Sequence, residues 1–144
     1  MSFYELQGFS KQTTSAFISV GGHVTQGQIE KLIKVFPNTK WHCCFDKDLS
    51  GYSFDISVAC WLKGKNNKSY KAPEVPGSEK KVLHIHHEDG KHETIHEDHV
   101  SLDTIKEYMK RNDLDDIEII KPARGKDWNE SLVLYKRFDM LSLI

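Results

Sequence analysis

Trp41-His42-Cys43-Cys44-Phe45-Asp46-Lys47-Asp48-Leu49-Ser50-Gly51 is the stretch on which the fold turns. An apolar run from Trp41 reads as a buried strand. It ends in two carboxylates at i and i+2, and a glycine follows. Side chains alternate along a strand, so Asp46 and Asp48 share a face and converge at its carboxyl end. Open α/β sheets place their ligands at that end. Two carboxylates holding a hydrated divalent ion are a common way to bind Mg²⁺ for phosphate chemistry. The competing reading has one Asp capping the next helix and the other solvated.

The flanking elements follow from periodicity and punctuation. Upstream, Thr13 to Val20 is rich in β-formers and ends in Gly21-Gly22, which predicts a strand and a tight turn. Thr25 and Gln28 have capping-box spacing, and Ile29, Leu32, Ile33 and Phe36 form one helical face. The strand holding the acidic pair is expected over 40–46. Phe54, Val58, Trp61 and Leu62 give the next helix, ending near Gly64. Farther on, Lys81 to His87 and Lys91 to His96 alternate as hairpin arms around Asp89-Gly90. Ser101 caps a helix with Leu102, Ile105, Tyr108 and Met109 inward, and Ile117 to Ile120 is a short strand. Asp127 and Glu130 form a second capping box, leading a helix through Lys136. Met1 to Gln7, closed by Gly8, reads as the last turns of a helix. Strands alternating with helices predict a mainly parallel sheet with helices on both faces, the strands near 13–20, 40–46 and 117–121 being neighbours.

The 144 residues suit one domain, 1–144, long enough to bury a core. A formal net charge of −1 excludes a uniformly basic nucleic-acid binder, so nucleic-acid contact requires a local patch. The lysines at 63, 65, 68, 71, 80 and 81 supply that patch, on a polar loop expected to be the most mobile internal segment. A solvated loop is the competing reading. Cys43, Cys44 and Cys60 have no CxxC spacing and read as small buried hydrophobes in a reduced compartment. With no signal peptide and no apolar run of spanning length, a cytoplasmic protein without membrane contact is expected.

Six of the eight histidines cluster, at 84, 86, 87, 92, 96 and 99. Zinc wants about four ligands in tetrahedral geometry. No cysteine lies nearby, and with Leu83 and Ile85 pointing one way, His84 and His86 point the other. That pattern reads as the wet face of a hairpin, where adventitious Ni²⁺ or Zn²⁺ binding would be no surprise.

Ser19-Val20-Gly21-Gly22, the Thr25 to Phe36 helix, Cys44-Phe45-Asp46-Lys47-Asp48-Leu49-Ser50-Gly51 and Pro122-Ala123-Arg124-Gly125-Lys126-Asp127-Trp128-Asn129-Glu130 occur in that order. Together they resemble the Toprim domain of bacterial primases and of primase-like proteins on mobile elements. The resemblance spans most of the chain and leaves 64–100 as an insertion carrying the lysine-rich loop and the His-rich hairpin. It implies a compact α/β fold with Mg²⁺ held by Asp46 and Asp48, and nucleotidyl or phosphodiester transfer in replication or mobilisation. A glutamate after the family's first strand completes the site in active members. Met1 to Phe9 resembles the end of the helix following that glutamate, which places it about ten residues before Met1. On this reading the chain lacks the first strand and the catalytic acid, as a truncated domain does, and binds Mg²⁺ weakly or not at all.

The remaining candidates are assigned around that site. Gly21 and Gly22 either let backbone approach a phosphate or only close a turn. Arg124 and Lys126, ahead of a helix N-terminus, either meet a phosphate or lie in a solvated loop. Asp127 is a helix cap or a neighbour of the metal site. The alternative function is a degenerate Toprim fold that binds nucleic acid or a protein partner, such as an upstream domain, without chemistry. A phospho-receiver domain is disfavoured, because Asp48 and Gly51 do not suit a phosphoacceptor loop.

Overall fold

A computed structural model describes residues 16, 18–20, 22–123 and 125–128. The expected helix end at Met1 to Gln7, most of the expected strand at 13–20, Gly21, Arg124 and the helix through Lys136 with Glu130 lie outside the described residues. Helix α1 is Gln26–Val35, and its start is the expected capping box. Thr25 Oγ1 accepts from the Gln28 N–H at 3.3 Å, and the Gln28 side chain accepts from the Thr25 N–H at 2.9 Å. Ile29 is buried, with Leu32 and Ile33 packed against the core. Strand β1 (Trp41–Cys43) pairs in parallel with β5 (Ile117–Ile119), Trp41 opposite Ile117 and Cys43 opposite Ile119.

Helix α2 (Leu49–Leu62) runs through the core, burying ten of its residues including Leu49, Tyr52, Ile56, Val58 and Cys60. Its sequence is apolar nearly all round, as suits a helix covered on several sides. One side meets α1, and another meets an antiparallel sheet of β2 (Lys68–Pro73), β3 (Lys81–His86) and β4 (His92–His96). The connection over 87–91 closes the expected hairpin, with Gly90 at φ 89°. A 3₁₀ turn at Glu97–His99 leads to α3 (Leu102–Arg111), whose N-cap Ser101 accepts from the Thr104 N–H. Ile105, Tyr108 and Met109 complete the core.

Two expectations change. The described strands divide into a parallel pair and an antiparallel triple, so the chain is mixed α/β and parallel pairing among the described residues is confined to β1 and β5. The lysine-rich loop is also partly a strand, since β2 pairs with β3 from Lys68 opposite His86 to Pro73 opposite Lys81. Its core-facing contact is polar, which hides it from hydrophobic periodicity. Ser69 Oγ donates to the Ser53 carbonyl at 2.7 Å, Ser53 Oγ donates to the Ser69 carbonyl at 2.9 Å, and the Ser57 and Ser69 hydroxyls lie 2.9 Å apart.

Cys43 and Cys60 are buried and Cys44 half-buried, all as free thiols. Burial pushes Cys44 and Cys60 up to about 11, so they stay protonated at neutral pH. Among the described residues, no helix is long and apolar enough to cross a membrane.

Candidate metal centre beyond the parallel strands

The acidic pair sits where β1 gives way to α2. Strand β1 ends at Cys43, shorter than the expected 40–46, so Asp46 stands on the turn and not on a strand face. Asp48 is the N-cap of α2, its Oδ1 accepting from the Gly51 N–H at 2.7 Å. The two carboxylates therefore converge through a tight turn and not through strand alternation. Gly51 permits the turn, because a Cβ there would overlap the Asp46 carbonyl oxygen.

The segment after β5 is bonded onto this turn. The Lys47 N–H donates to the Lys126 carbonyl at 2.7 Å, Lys47 Nζ to the Pro122 carbonyl at 3.3 Å, and Trp128 Nε1 to the Cys44 carbonyl at 2.8 Å. Lys126 Nζ comes to 3.8 Å from Asp48 Oδ2. Asp127 comes close enough to act on Asp46. Loss of solvent raises the Asp46 carboxyl above its usual range, and Asp127 and then Asp48 raise it further, opposed by the Trp128 N–H and by Lys121. A cleft of about 390 Å³ opens beside the pair, with Gly22, His23, Val24 and Phe54 among its walls.

The structure thus brings Asp46, Asp48, Gly22, Lys126 and Asp127 to one neighbourhood, while Gly21 and Arg124 lie outside the described residues. Asp46, Asp48 and Asp127 do not place their three sets of ligand atoms within 4.8 Å of one another. Among the described residues, the only three-residue set of His, Cys, Asp and Glu ligand atoms within 4.8 Å of one another is elsewhere.

Beneath the turn lies a buried ion pair that sequence reasoning missed. Lys121 Nζ sits 2.5 Å from Asp55 Oδ2, with side-chain exposures of 3% and 0%. The ammonium also donates to the Phe45 carbonyl at 3.1 Å and the Asp46 carbonyl at 3.0 Å, and lies 4.4 Å from the Tyr52 ring centroid. Asp55 Oδ1 has no hydrogen-bond partner among the described residues. Burial pushes the Asp55 carboxyl up to about 7 against the pull of Lys121. The signal was the one charged residue of a largely apolar helix and a lysine at the end of a predicted strand.

Two lysines of the lysine-rich stretch are engaged within the chain. Lys63 Nζ pairs with Asp116 at 2.6 Å and Lys65 Nζ donates to the Asn112 carbonyl at 2.8 Å, while Lys68, Lys71, Lys80 and Lys81 are exposed. The chain matches no protein-family model, no curated protein and no solved structure.

Proposed function

We propose that this chain is a Toprim-like α/β module of a replication, primase or mobilisation protein, whose acidic turn takes a hydrated Mg²⁺ against nucleic-acid phosphate. One observation carries the reading: Asp46 and Asp48 line an open cleft beyond a parallel strand pair, and Asp127 and Asp48 both act on the Asp46 carboxyl there. The donor set fits Mg²⁺, which prefers carboxylate oxygen and keeps several of its waters. Asp46 and Asp48 would hold the ion, with Asp127 beside them. When bound, the ion would neutralise phosphate charge. Lys121 fixes the backbone that presents Asp46. Exposed Lys68, Lys71, Lys80 and Lys81 are the candidate contacts to a nucleic-acid backbone. With two or three carboxylates as ligands, affinity is on the order of millimolar, and the chain alone carries no robust polymerase or nuclease activity.

A second reading, a degenerate module that binds without chemistry, is favoured by Lys126, whose ammonium near Asp48 supplies cationic charge from the protein itself. Mn²⁺ titration of the isotope-labelled chain separates the two. Paramagnetic broadening at 45–48 and 126–127, reversed by excess Mg²⁺, is expected of a metal site. Broadening confined to the histidine hairpin excludes Mg²⁺ binding at the turn and leaves the binding-only module.

A further inference from the structure

The antiparallel sheet carries an imidazole cluster on the face turned away from α2. His84 and His86 alternate on β3 and share that face, and the β3–β4 ladder places His92 directly opposite His86. His84 Nδ1 lies 3.0 Å from His92 Nε2, and the His86 and His92 rings stack at 4.2 Å between centroids, 2° from parallel. One ligand atom from each of the three lies within 4.8 Å of the others.

Hydrogen bonds and ring contacts hold the imidazoles in place. His84 Nε2 is 3.0 Å from the Pro73 carbonyl oxygen. A carbonyl only accepts, so Nε2 carries the proton and Nδ1 presents a bare lone pair toward His92. A backbone carbonyl holding the far N–H of an imidazole is the usual outer support of a metal-bound histidine. Tyr70 braces the other side, stacking on both His84 and His86, with its hydroxyl 2.9 Å from His86 Nε2. His84 is buried at 8% exposure, while His92 reaches solvent and leaves an entry path.

We propose that His84, His86 and His92 form a binding site for a zinc-class divalent ion, with at least one coordination position left to water or an external ligand. Three neutral imidazoles select Zn²⁺, Ni²⁺ or Cu²⁺ and not the oxygen-seeking Mg²⁺ of the acidic turn. Three protein nitrogens and a fourth position open to water or an external ligand are a donor pattern of open zinc sites, in contrast to the closed four-ligand structural ones. Zn–N bonds of about 2.0–2.1 Å put two nitrogens of a tetrahedral shell about 3.3 Å apart. The His84–His92 contact therefore opens by only a few tenths of an ångström, with the rings tilting toward the ion. With Nδ1 of His84 bare, the proton in that contact belongs to His92 Nε2. Metal entry shifts it to His92 Nδ1, with no net proton release.

The test uses the metal-stripped full chain, titrated with Zn²⁺ by calorimetry and with Co²⁺ by visible absorption. One ion per chain, the intense Co²⁺ bands of a four-coordinate site and no competition from millimolar Mg²⁺ are expected. His92→Gln, at an exposed position, should weaken Zn²⁺ binding at least about tenfold. His42→Gln and His99→Gln, outside the set, should leave it unchanged. His84→Gln tests the buried ligand, and a Zn²⁺-dependent shift of the His84 ring proton in the unmutated chain tests it without a variant. Absence of binding, or equal weakening by His42→Gln, overturns the proposal. None of these outcomes bears on Mg²⁺ at the acidic turn.

Discussion

The acidic turn and the histidine face are two candidate metal sites of opposite chemistry, built by opposite means. Asp46 and Asp48 are two residues apart, and one turn between β1 and α2 brings them together. His84 and His92 are eight apart and meet only because 87–91 closes a hairpin in one particular register. The first site is legible as a contiguous motif. The second exists only after strand pairing, and a one-residue slip would send His92 to the opposite face. Rigidity differs in the same sense. His84 stands on the central strand of its sheet, while Asp46 is solvent-exposed and depends on the lysine beneath it.

That dependence gives the sharpest way to separate the regions. Lys121→Met leaves Asp55 buried without its counter-ion and frees the Phe45 and Asp46 carbonyls. A loss on the order of 3 kcal/mol is expected in chemical denaturation. Mn²⁺ broadening at the turn should vanish while Zn²⁺ binding at the histidines persists. Asp55→Leu combined with Lys121→Met should recover much of the stability, because a buried pair replaced by apolar groups is often neutral. Loss of both metal responses in a folded Lys121→Met chain would show that the two regions are coupled.

What was legible follows the same division between local and paired signals. Thr25 with Gln28, Ser101 before Leu102 and Gly90 in its turn are local devices, and each sits where its spacing placed it. Strand β2 was not legible, because Ser69 meets the serines of α2 where an apolar residue would have marked an inward face. The histidines were legible as one face of a hairpin, but not as a ligand set. The Pro73 carbonyl that orients His84 comes from that same unrecognised strand. Asp55 was hidden because its partner lies sixty-six residues on, across the core. The Toprim resemblance rests on motif order alone.

A middle-sized effect separates the two roles of Asp48. Asp48→Ala removes the α2 cap and should cost about 1 kcal/mol. Asp48→Asn keeps an oxygen for the Gly51 N–H, so stability should stay within a few tenths of a kcal/mol, while Mn²⁺ binding falls. If Asp48→Asn binds Mn²⁺ as well as the unmutated chain, Asp48 is a cap alone. The turn would then lose its resemblance to a two-carboxylate site.

The smallest effect concerns Asp46 and its sign. Partial burial, Asp127 and Asp48 together raise its carboxyl in the folded chain. The folded state therefore holds the proton more tightly than the unfolded state does. Its contribution to stability is greatest below the unfolded pKa and is lost as pH rises through the folded one. Above that window the ionised Asp46 opposes folding, and Asp46→Asn should be the more stable chain. Solvent screens an exposed group, so the gain should stay below about 1 kcal/mol. Millimolar Mg²⁺ should reverse the order, because the ion stabilises only the chain that keeps its carboxylate. Thermal melts of both chains at pH 7.5, with and without Mg²⁺, read this directly. The histidine face serves as the internal control, since Zn²⁺ should stabilise both chains equally. Equal Mg²⁺ responses in the two chains would make the raised carboxyl a product of crowding alone, leaving the histidine face as the molecule's one metal site among the described residues.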